Sequence, residues 1–222
     1  MLNNLKSPSQ NVMAMLQRSK KTVLILVMLS TFALMAFTVN KIHTDTYTVD
    51  SKQSSLEWFA EKLTGKHNGT IMLSGGEFKN DHGSFTGSIE IEMSSIANTD
   101  LTDAKSKEKL EGHLKSADFF DVATYPKSKF VITAITPATN STTGEVTHTI
   151  KGNLTIKDKT NEISFGAIIT MLPGKINLTG TAIVDRSKFD IKYGSNTFYP
   201  NIGDKMIYDE FKLKFNVVAV KQ

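Results

Sequence analysis

The amino-acid sequence predicts an all-β fold, a barrel or a sandwich of antiparallel strands that is interrupted by one α-helix. Two observations lead to this prediction. Apolar and polar residues alternate over most of the chain after residue 40, and turn-forming residues separate the alternating stretches. Such alternation is typical of antiparallel strands that have one face in water and the other face buried. We expect about eight strands, a number that suits a closed barrel.

A hydrophobic segment precedes the predicted strands. Thr22–Val39 contains no charged residue, and as a helix it would be about 27 Å long, close to the thickness of a bilayer core. Arg18, Lys20 and Lys21 come directly before it, so the positive-inside rule predicts that residues 1–21 are a cytoplasmic basic lead-in. Residues 22–39 are either the hydrophobic region of a signal peptide or a membrane anchor, in each case an N-terminal hydrophobic helix. The folded domain, residues 45–222, is then expected outside the cytoplasm.

The net charge of +4 belongs to the N-terminal segment and not to the predicted domain. Residues 1–40 carry Lys6 and the three basic residues just named, and they carry no acidic residue. Basic and acidic side chains therefore balance in residues 41–222. Because nucleic-acid binding needs a basic face on the folded part, we expect no nucleic-acid partner. The chain has no cysteine, which excludes disulfides and cysteine-ligated metals.

The alternating stretches are predicted to be the strands. The last one is the clearest, because Phe211, Leu213 and Phe215 share one face while Lys212 and Lys214 share the other. The predicted strands lie near Tyr47–Val49, Ser55–Ala60, Gly69–Ser74, Ser84–Met93, Lys129–Ile135, Thr149–Ile156, Glu162–Met171, Ile176–Val184 and Phe211–Ala219. Turns are predicted at Gly75-Gly76, Asn80–Gly83, Asn140–Gly144, Lys157–Asn161 and Pro173-Gly174.

The inserted helix is predicted at Asp100–Lys115, which is rich in Ala, Lys, Glu and Leu. Thr102 or Asp103 is its expected N-cap, and Leu110 and Leu114 form its apolar stripe.

An aromatic segment, Ser116–Phe130, follows this helix directly. Its Phe119, Phe120 and Tyr125 stand among residues that favour turns. Because exposed loops rarely carry so much aromatic surface, we expect Phe119 and Phe120 to point into the fold.

The sequence contains none of the common motifs for catalysis or cofactor binding. The five histidines fall in five separate segments, without the spacing of a zinc site. No glycine-rich phosphate loop and no Gly-x-Ser-x-Gly motif occurs. We therefore predict no metal, no cofactor and no catalytic residues.

Arg186 stands out among the polar residues, because it follows the predicted strand that ends near Val184. It is expected to form a structural ion pair with Asp185, Asp190 or Glu57. Alternatively, its guanidinium could bind the anionic head group of a ligand.

The long connection Tyr193–Tyr208 is predicted to be a lid. It includes Phe198, Tyr199, Ile202 and Met206, and long connections with such apolar content usually cover something.

A set of ordered stretches in this sequence matches a known family. The stretches are YTVDSKQSSLEW (Tyr47–Trp58), GGEFKN (Gly75–Asn80), GSFTGSIEIEMSSI (Gly83–Ile96), LKSADFFDVATYPKSKF (Leu114–Phe130), HTIKGNLTIKDKTNEISF (His148–Phe165) and GTAIVDRSKFDIKYG (Gly180–Gly194). In this order and spacing, which covers nearly all of residues 47–220, the chain resembles the YceI-like, polyisoprenoid-binding, lipocalin-like family.

The resemblance implies an extended antiparallel, lipocalin-like β-barrel with a hydrophobic tunnel for a polyprenyl chain. It also implies a bacterial envelope protein that is periplasmic, secreted or anchored in the inner membrane through residues 22–39. The expected partner is an isoprenoid or other long-chain lipid, such as a polyprenyl phosphate or an isoprenoid quinone, which the protein would sequester or carry. The residues expected to line the tunnel or hold the head group are Trp58, Phe85, Ile89, Ile91, Phe119, Phe120, Phe130, Ile132, Leu154, Phe165, Arg186, Phe211 and Phe215.

Two alternatives remain open at this point. Eight-stranded barrels can be packed solid by their own side chains, and the protein would then have a structural or interaction role in the envelope without a ligand. The other alternative is an enzyme that acts on a lipid inside the barrel, with Asp185, Arg186 and Asp190 as its candidate acids and bases.

Overall fold

The computed structural model describes residues 44–82, 84–139 and 146–222, and the elements in these ranges are mainly strands. The strands are β1 (Thr44–Val49), β2 (Ser55–Lys62), β3 (Gly65–Asp81), β4 (Ser84–Asn98), β5 (Lys127–Pro137), β6 (His148–Ile156), β7 (Lys159–Leu172), β8 (Lys175–Asp185) and β9 (Ile207–Lys221). Helix α1 spans Ala104–Lys115, and short 3-10 helices span Arg186–Phe189 and Gly203–Lys205. The predicted hydrophobic segment 22–39, the lead-in 1–21 and the predicted turn 140–144 lie outside the described residues.

The strands close into an antiparallel barrel with eight strand positions. Each strand from β2 to β9 pairs with the next, and β9 pairs with β2 to complete the ring. The short β1 and β2 share one position, because β1 pairs with the end of β3 and with the end of β9. The predicted all-β fold is therefore confirmed, and the barrel is the arrangement adopted.

A turn at residues 50–54 keeps β1 and β2 in line on the barrel. The Asp50 carboxylate accepts hydrogen bonds from the backbone N–H groups of Lys52 and Gln53, at 2.9 and 3.2 Å. The Ser54 hydroxyl donates to the Asp50 carbonyl and accepts from the Val218 N–H of β9, at 2.7 and 3.0 Å. The turn is thus fastened to the last strand of the chain.

The turn predicted at Gly75-Gly76 is wrong, because both glycines lie inside β3, opposite Glu90 and Ile89 of β4. Gly76 allows close approach between the strands, whereas Gly75 has open space at the position of a Cβ atom. A Cβ atom at Gly76 would lie 2.6 Å from the carbonyl oxygen of Ser88. The register between β3 and β4 also shifts at this point, so the strand continues through an irregularity.

Helix α1 begins four residues later than predicted, with the expected N-cap Asp103 accepting a hydrogen bond from the Ser106 N–H at 2.8 Å. The preceding Asp100 is fixed outside the helix, because its carboxylate accepts the Asn68 N–H and contacts the His67 ring, each at 2.8 Å. The helix packs on the barrel through Leu110 and Leu114, which are half-buried against the core. Its Glu111 carboxylate also accepts the Asn98 N–H of β4 at 2.7 Å.

Four connections lie at one end of the barrel, which we call the helix end. They are the β2–β3 turn, the segment 99–126 with α1, the β6–β7 turn and the β8–β9 connection, residues 186–206. The β3–β4, β5–β6 and β7–β8 connections lie at the opposite end, because successive strands are antiparallel.

Arg186 fastens both ends of the β8–β9 connection. Arg186 is only 2% exposed, and its side chain donates hydrogen bonds to the carbonyls of Ile191 and Tyr193 at 2.9 and 2.8 Å. On the other side it donates to the carbonyls of Ile207 and Tyr208, at 2.9 and 3.2 Å. The guanidinium therefore replaces the regular backbone pairing that this irregular segment lacks.

The ion-pair partner of Arg186 is Asp209, at 3.2 Å, and not one of the three predicted residues. The Asp185 carboxylate instead accepts hydrogen bonds within the 3-10 helix that follows it, and Asp190 and Glu57 pair with lysines. Burial lowers the pKa of Arg186, and the charges of Asp209 and Asp185 oppose this shift. The prediction failed because Asp209 comes into reach only through the return of the chain along β9.

Removing the Arg186 charge should destabilise the barrel strongly. We expect Arg186→Gln to lower the free energy of unfolding by about 3 kcal/mol, because it leaves Asp209 unpaired and several carbonyls without donors. Lys188→Gln, an exposed change in the same 3-10 helix, should shift it by no more than about 0.5 kcal/mol. Urea unfolding of the purified proteins measures both values, and equal stability of the two variants would contradict this role of Arg186.

Two glycines of β3 should differ sharply in their tolerance of a methyl group. A Cβ atom at Gly69 would overlap the Ala97 carbonyl oxygen and lie 2.6 Å from the Trp58 ring, whereas Gly75 has no atom within 4 Å of that position. We expect Gly69→Ala to lower the free energy of unfolding by about 2 kcal/mol and Gly75→Ala to leave it nearly unchanged. Thermal unfolding of both variants tests this, and the reverse order of stability would refute it.

Candidate functional site

The interior of the barrel contains an apolar cavity of about 90 Å³ at its helix end, which we call the outer cavity. Leu56, Trp58 and Ala60 of β2 and Phe211 and Leu213 of β9 form part of its wall. These residues alternate along their strands with exposed ones, so the period-two pattern of the sequence directs them inward. The polar residues of the lining are Ser128, Arg186 and Tyr208.

A second apolar cavity of about 70 Å³, the inner cavity, lies deeper in the barrel. Its wall includes Phe130, Phe165 and Phe215, whose rings form a chain with centroid distances of 5.5 and 5.4 Å. Ala182 and Val217 complete part of the wall. Every residue of this lining is apolar, so nothing inside it fixes a polar group of a ligand.

The two cavities adjoin each other inside the barrel, because Leu56, Ile91, Leu154 and Leu213 line both of them. For scale, an apolar cavity of about 150 Å³ accepts one benzene molecule. The two cavities together are therefore suited to a small apolar group. A longer chain can enter this interior only if some of the lining side chains change their rotamers.

The aromatic segment covers the outer cavity, as Phe119 and Phe120 both line it with their rings 5.1 Å apart. The His113 ring of α1 contacts Phe119 on one side and Tyr193 on the other, at centroid distances of 5.7 and 4.3 Å. The Cζ atom of Arg186 lies 5.6 Å from the centroid of the Phe119 ring. Helix α1, the aromatic segment and the β8–β9 connection thus meet at this end of the barrel. Of the lid predicted at Tyr193–Tyr208, only Ile207 and Tyr208 line the outer cavity, and its role as a lid stays a prediction.

The structure brings together all but one of the predicted ligand-contacting residues. The outer cavity is lined by Trp58, Ile91, Phe119, Phe120, Leu154, Arg186 and Phe211, and the inner cavity by Ile89, Ile91, Phe130, Ile132, Leu154, Phe165 and Phe215. Phe85 lines neither cavity. It pairs with Asn80 next to the β3–β4 turn, at the far end of the barrel, where it packs half-buried against the core. Contact of these residues with a ligand stays a prediction.

Several lining residues were not among those predicted. They are Leu56, Ala60, Ile71, Met93, Ile96, Leu114, Ser128, Ile156, Ile207, Tyr208 and Leu213 in the outer cavity, with Leu73, Ile150, Ile163, Leu178, Ala182 and Val217 in the inner one. Most of them sit on the apolar face of a strand, so alternation could have identified them. Leu114 lies on helix α1 and therefore carries no such signal.

The residues of the enzymatic alternative do not form a common site. Asp185 caps the 3-10 helix, Arg186 binds carbonyls, and Asp190 is exposed and pairs with Lys192 at 3.1 Å. In residues 44–82, 84–139 and 146–222, no group of three or more His, Asp or Glu side chains could hold a metal ion. The same ranges contain no helix long and apolar enough to span a membrane.

Comparison with known proteins places these features in a family. The YceI-like domain model matches residues 47–219. Among curated relatives, a UPF0312 protein of Pseudomonas putida (strain W619) is 36% identical over 95 residues, which are 41% of this chain and 47% of that protein. The chain thus spans about half the length of the curated relatives it matches.

Two solved structures share the fold. BcnA of Burkholderia cenocepacia superposes with a TM-score of 0.60 at 24% identity, over 78% of this chain and 99% of BcnA. A polyisoprenoid binding domain from Saccharophagus degradans, implicated in plant cell wall breakdown, has a TM-score of 0.55 at 13% identity, over 79% and 98% of the two chains. At these identities the likeness concerns the barrel itself. Together with the family match over nearly all of the described barrel, it shows that the chain belongs to the YceI-like family.

Proposed function

We propose that the protein binds a long-chain isoprenoid or related lipid inside the barrel. The observation that carries this proposal is the pair of adjoining apolar cavities inside the barrel, which share four lining residues. The inner cavity has no hydrogen-bonding side chain and the outer cavity has few, so the interior selects a ligand by its apolar length rather than by polar recognition. The polyisoprenoid binding domain with the same fold supports this choice of ligand class.

Burial of the ligand chain supplies the binding energy. Each methylene removed from water contributes about 0.8 kcal/mol, so ten buried methylenes contribute about 8 kcal/mol. That amount corresponds to a dissociation constant of about 1 μM before the costs of ordering the chain are counted. An isoprenoid of several units is therefore long enough for useful affinity.

Entry of the chain depends on the aromatic side chains that separate and cover the cavities. Phe119 and Phe120 cover the outer cavity, and the Phe130–Phe165–Phe215 chain fills the middle of the barrel. Rotation of these rings would lengthen the cavities into a tunnel while leaving the strands in place. The barrel would then shield the lipid and carry it outside the cytoplasm, a location that rests on the charge pattern around residues 22–39.

The alternative is a structural or interaction role without a ligand. The small volumes of the two cavities, about 90 and 70 Å³, favour this reading, because a barrel of eight strands can be filled by its side chains. The two functions differ in one measurable respect, the capacity of the interior to take up an apolar molecule.

Filling the inner cavity should block lipid binding without unfolding the barrel. Ala182 lines this cavity, and its neighbour Ile183 is 55% exposed on the outer face of β8. We expect Ala182→Leu to weaken binding of the fluorescent apolar probe N-phenyl-1-naphthylamine at least tenfold, about 1.4 kcal/mol, because the leucine occupies ligand space. Ile183→Leu is the matched control on the opposite face, and it should bind the probe like the wild type.

The same experiment separates lipid binding from the alternative. Native mass spectrometry of the wild type mixed with a polyprenol should show a one-to-one complex that Ala182→Leu does not form. If the wild type takes up neither the probe nor the polyprenol, the proposed function is wrong and the filled-barrel role is favoured. Near-ultraviolet circular dichroism of each variant verifies that the core remains packed.

A further inference from the structure

A polar groove of about 870 Å³ lies at the helix end, next to the outer cavity. Ile207, the first residue of β9, lines both the groove and the cavity. Tyr193 and Tyr199, each about half exposed, form part of the groove wall. A ligand that fills the apolar interior would therefore reach this groove with its outer end.

Lysines from separate connections converge on the groove. Lys62 ends β2, Lys157 follows β6, and Lys192 and Lys205 belong to the β8–β9 connection. Lys192 pairs with Asp190 at 3.1 Å. The other three lysines form no salt bridge with any residue that the structure describes.

Carboxylates share the groove, since Asp118, Asp190 and Asp204 also line it. Positive charge is in excess, because four lysines face three aspartates. The two aspartates other than Asp190 oppose an anionic ligand and should limit its affinity.

We propose that this groove holds the phosphate head group of the lipid whose tail occupies the cavities. The inference rests on the proposed function, and it selects phosphate-bearing isoprenoids over quinones. Ammonium groups bind phosphate as point charges, whereas an uncharged quinone ring gains little from them. Arg186 is unsuited to this role, because its hydrogen bonds go to backbone carbonyls.

Two probes with the same tail, farnesol and farnesyl diphosphate, test the head-group site. Competition with N-phenyl-1-naphthylamine gives the affinity of each probe. At low salt we expect the wild type to bind the diphosphate at least tenfold more tightly than farnesol. The preference should shrink as the salt concentration rises, since Lys62, Lys192 and Lys205 are exposed and Lys157 is only half-buried.

Substitutions of the groove lysines and of the groove aspartates should change diphosphate binding in opposite directions. The triple variant Lys62→Gln, Lys157→Gln and Lys205→Gln should lose the preference for the diphosphate and keep the wild-type affinity for farnesol. The double variant Asp118→Asn and Asp204→Asn should bind the diphosphate several-fold more tightly. A control triple variant, Lys52→Gln, Lys79→Gln and Lys129→Gln, removes the same charge outside the groove and should keep the preference.

The outcomes of this experiment distinguish failure of the head-group site from failure of the proposed lipid binding. Equal wild-type affinity for the two probes, or a preference that survives the groove variant, overturns the head-group site and leaves lipid binding intact. Equal loss in the groove variant and the control variant means that net charge, not the groove, attracts the diphosphate. Failure of the wild type to bind either probe overturns both the site and the proposed function.

Discussion

The closure of the barrel at eight strand positions is the constraint on which the rest of the structure depends. Closure pairs every strand on both sides, so no edge is open, and it fixes the width of the interior. At this width the inward side chains nearly meet. The balance between a filled core and a ligand tunnel is therefore set by which inward positions are small, such as Ala182, and which carry rings, such as Phe165.

The two kinds of positive side chain at the helix end have different surroundings and different roles. Arg186 is buried, and backbone carbonyls and Asp209 compensate the cost of its desolvation. The groove lysines remain in contact with water and hold their charge at little cost. The groove lysines are therefore able to contact a ligand, whereas Arg186 holds the backbone around the groove in place.

The alternation of apolar and polar residues made most of the barrel predictable from the sequence, because a closed barrel buries one face of each strand and that face must be apolar. Most of the predicted cavity residues lie on apolar strand faces and follow from this alternation, whereas Phe119, Phe120 and Arg186 do not. Phe85 also lies in a strand, but its position near a turn places it away from the two cavities. Contacts between distant segments left no such pattern. The ion-pair partner of Arg186 and the continuation of β3 through Gly75 depend on which distant segment of the chain packs against them. The residues near Arg186 or Gly75 in the sequence do not identify that segment.

The pairing of the first strands with the last one has a consequence for the order of folding. Ser54 and Val218 are hydrogen-bonded although they are 164 residues apart in the sequence. Hairpins between neighbouring strands can form early, because their loops are short, but the ring cannot be completed before the final strand is available. Until then β2 and β8 would each present an unpaired edge, so a chain that stops before residue 207 should be prone to aggregate.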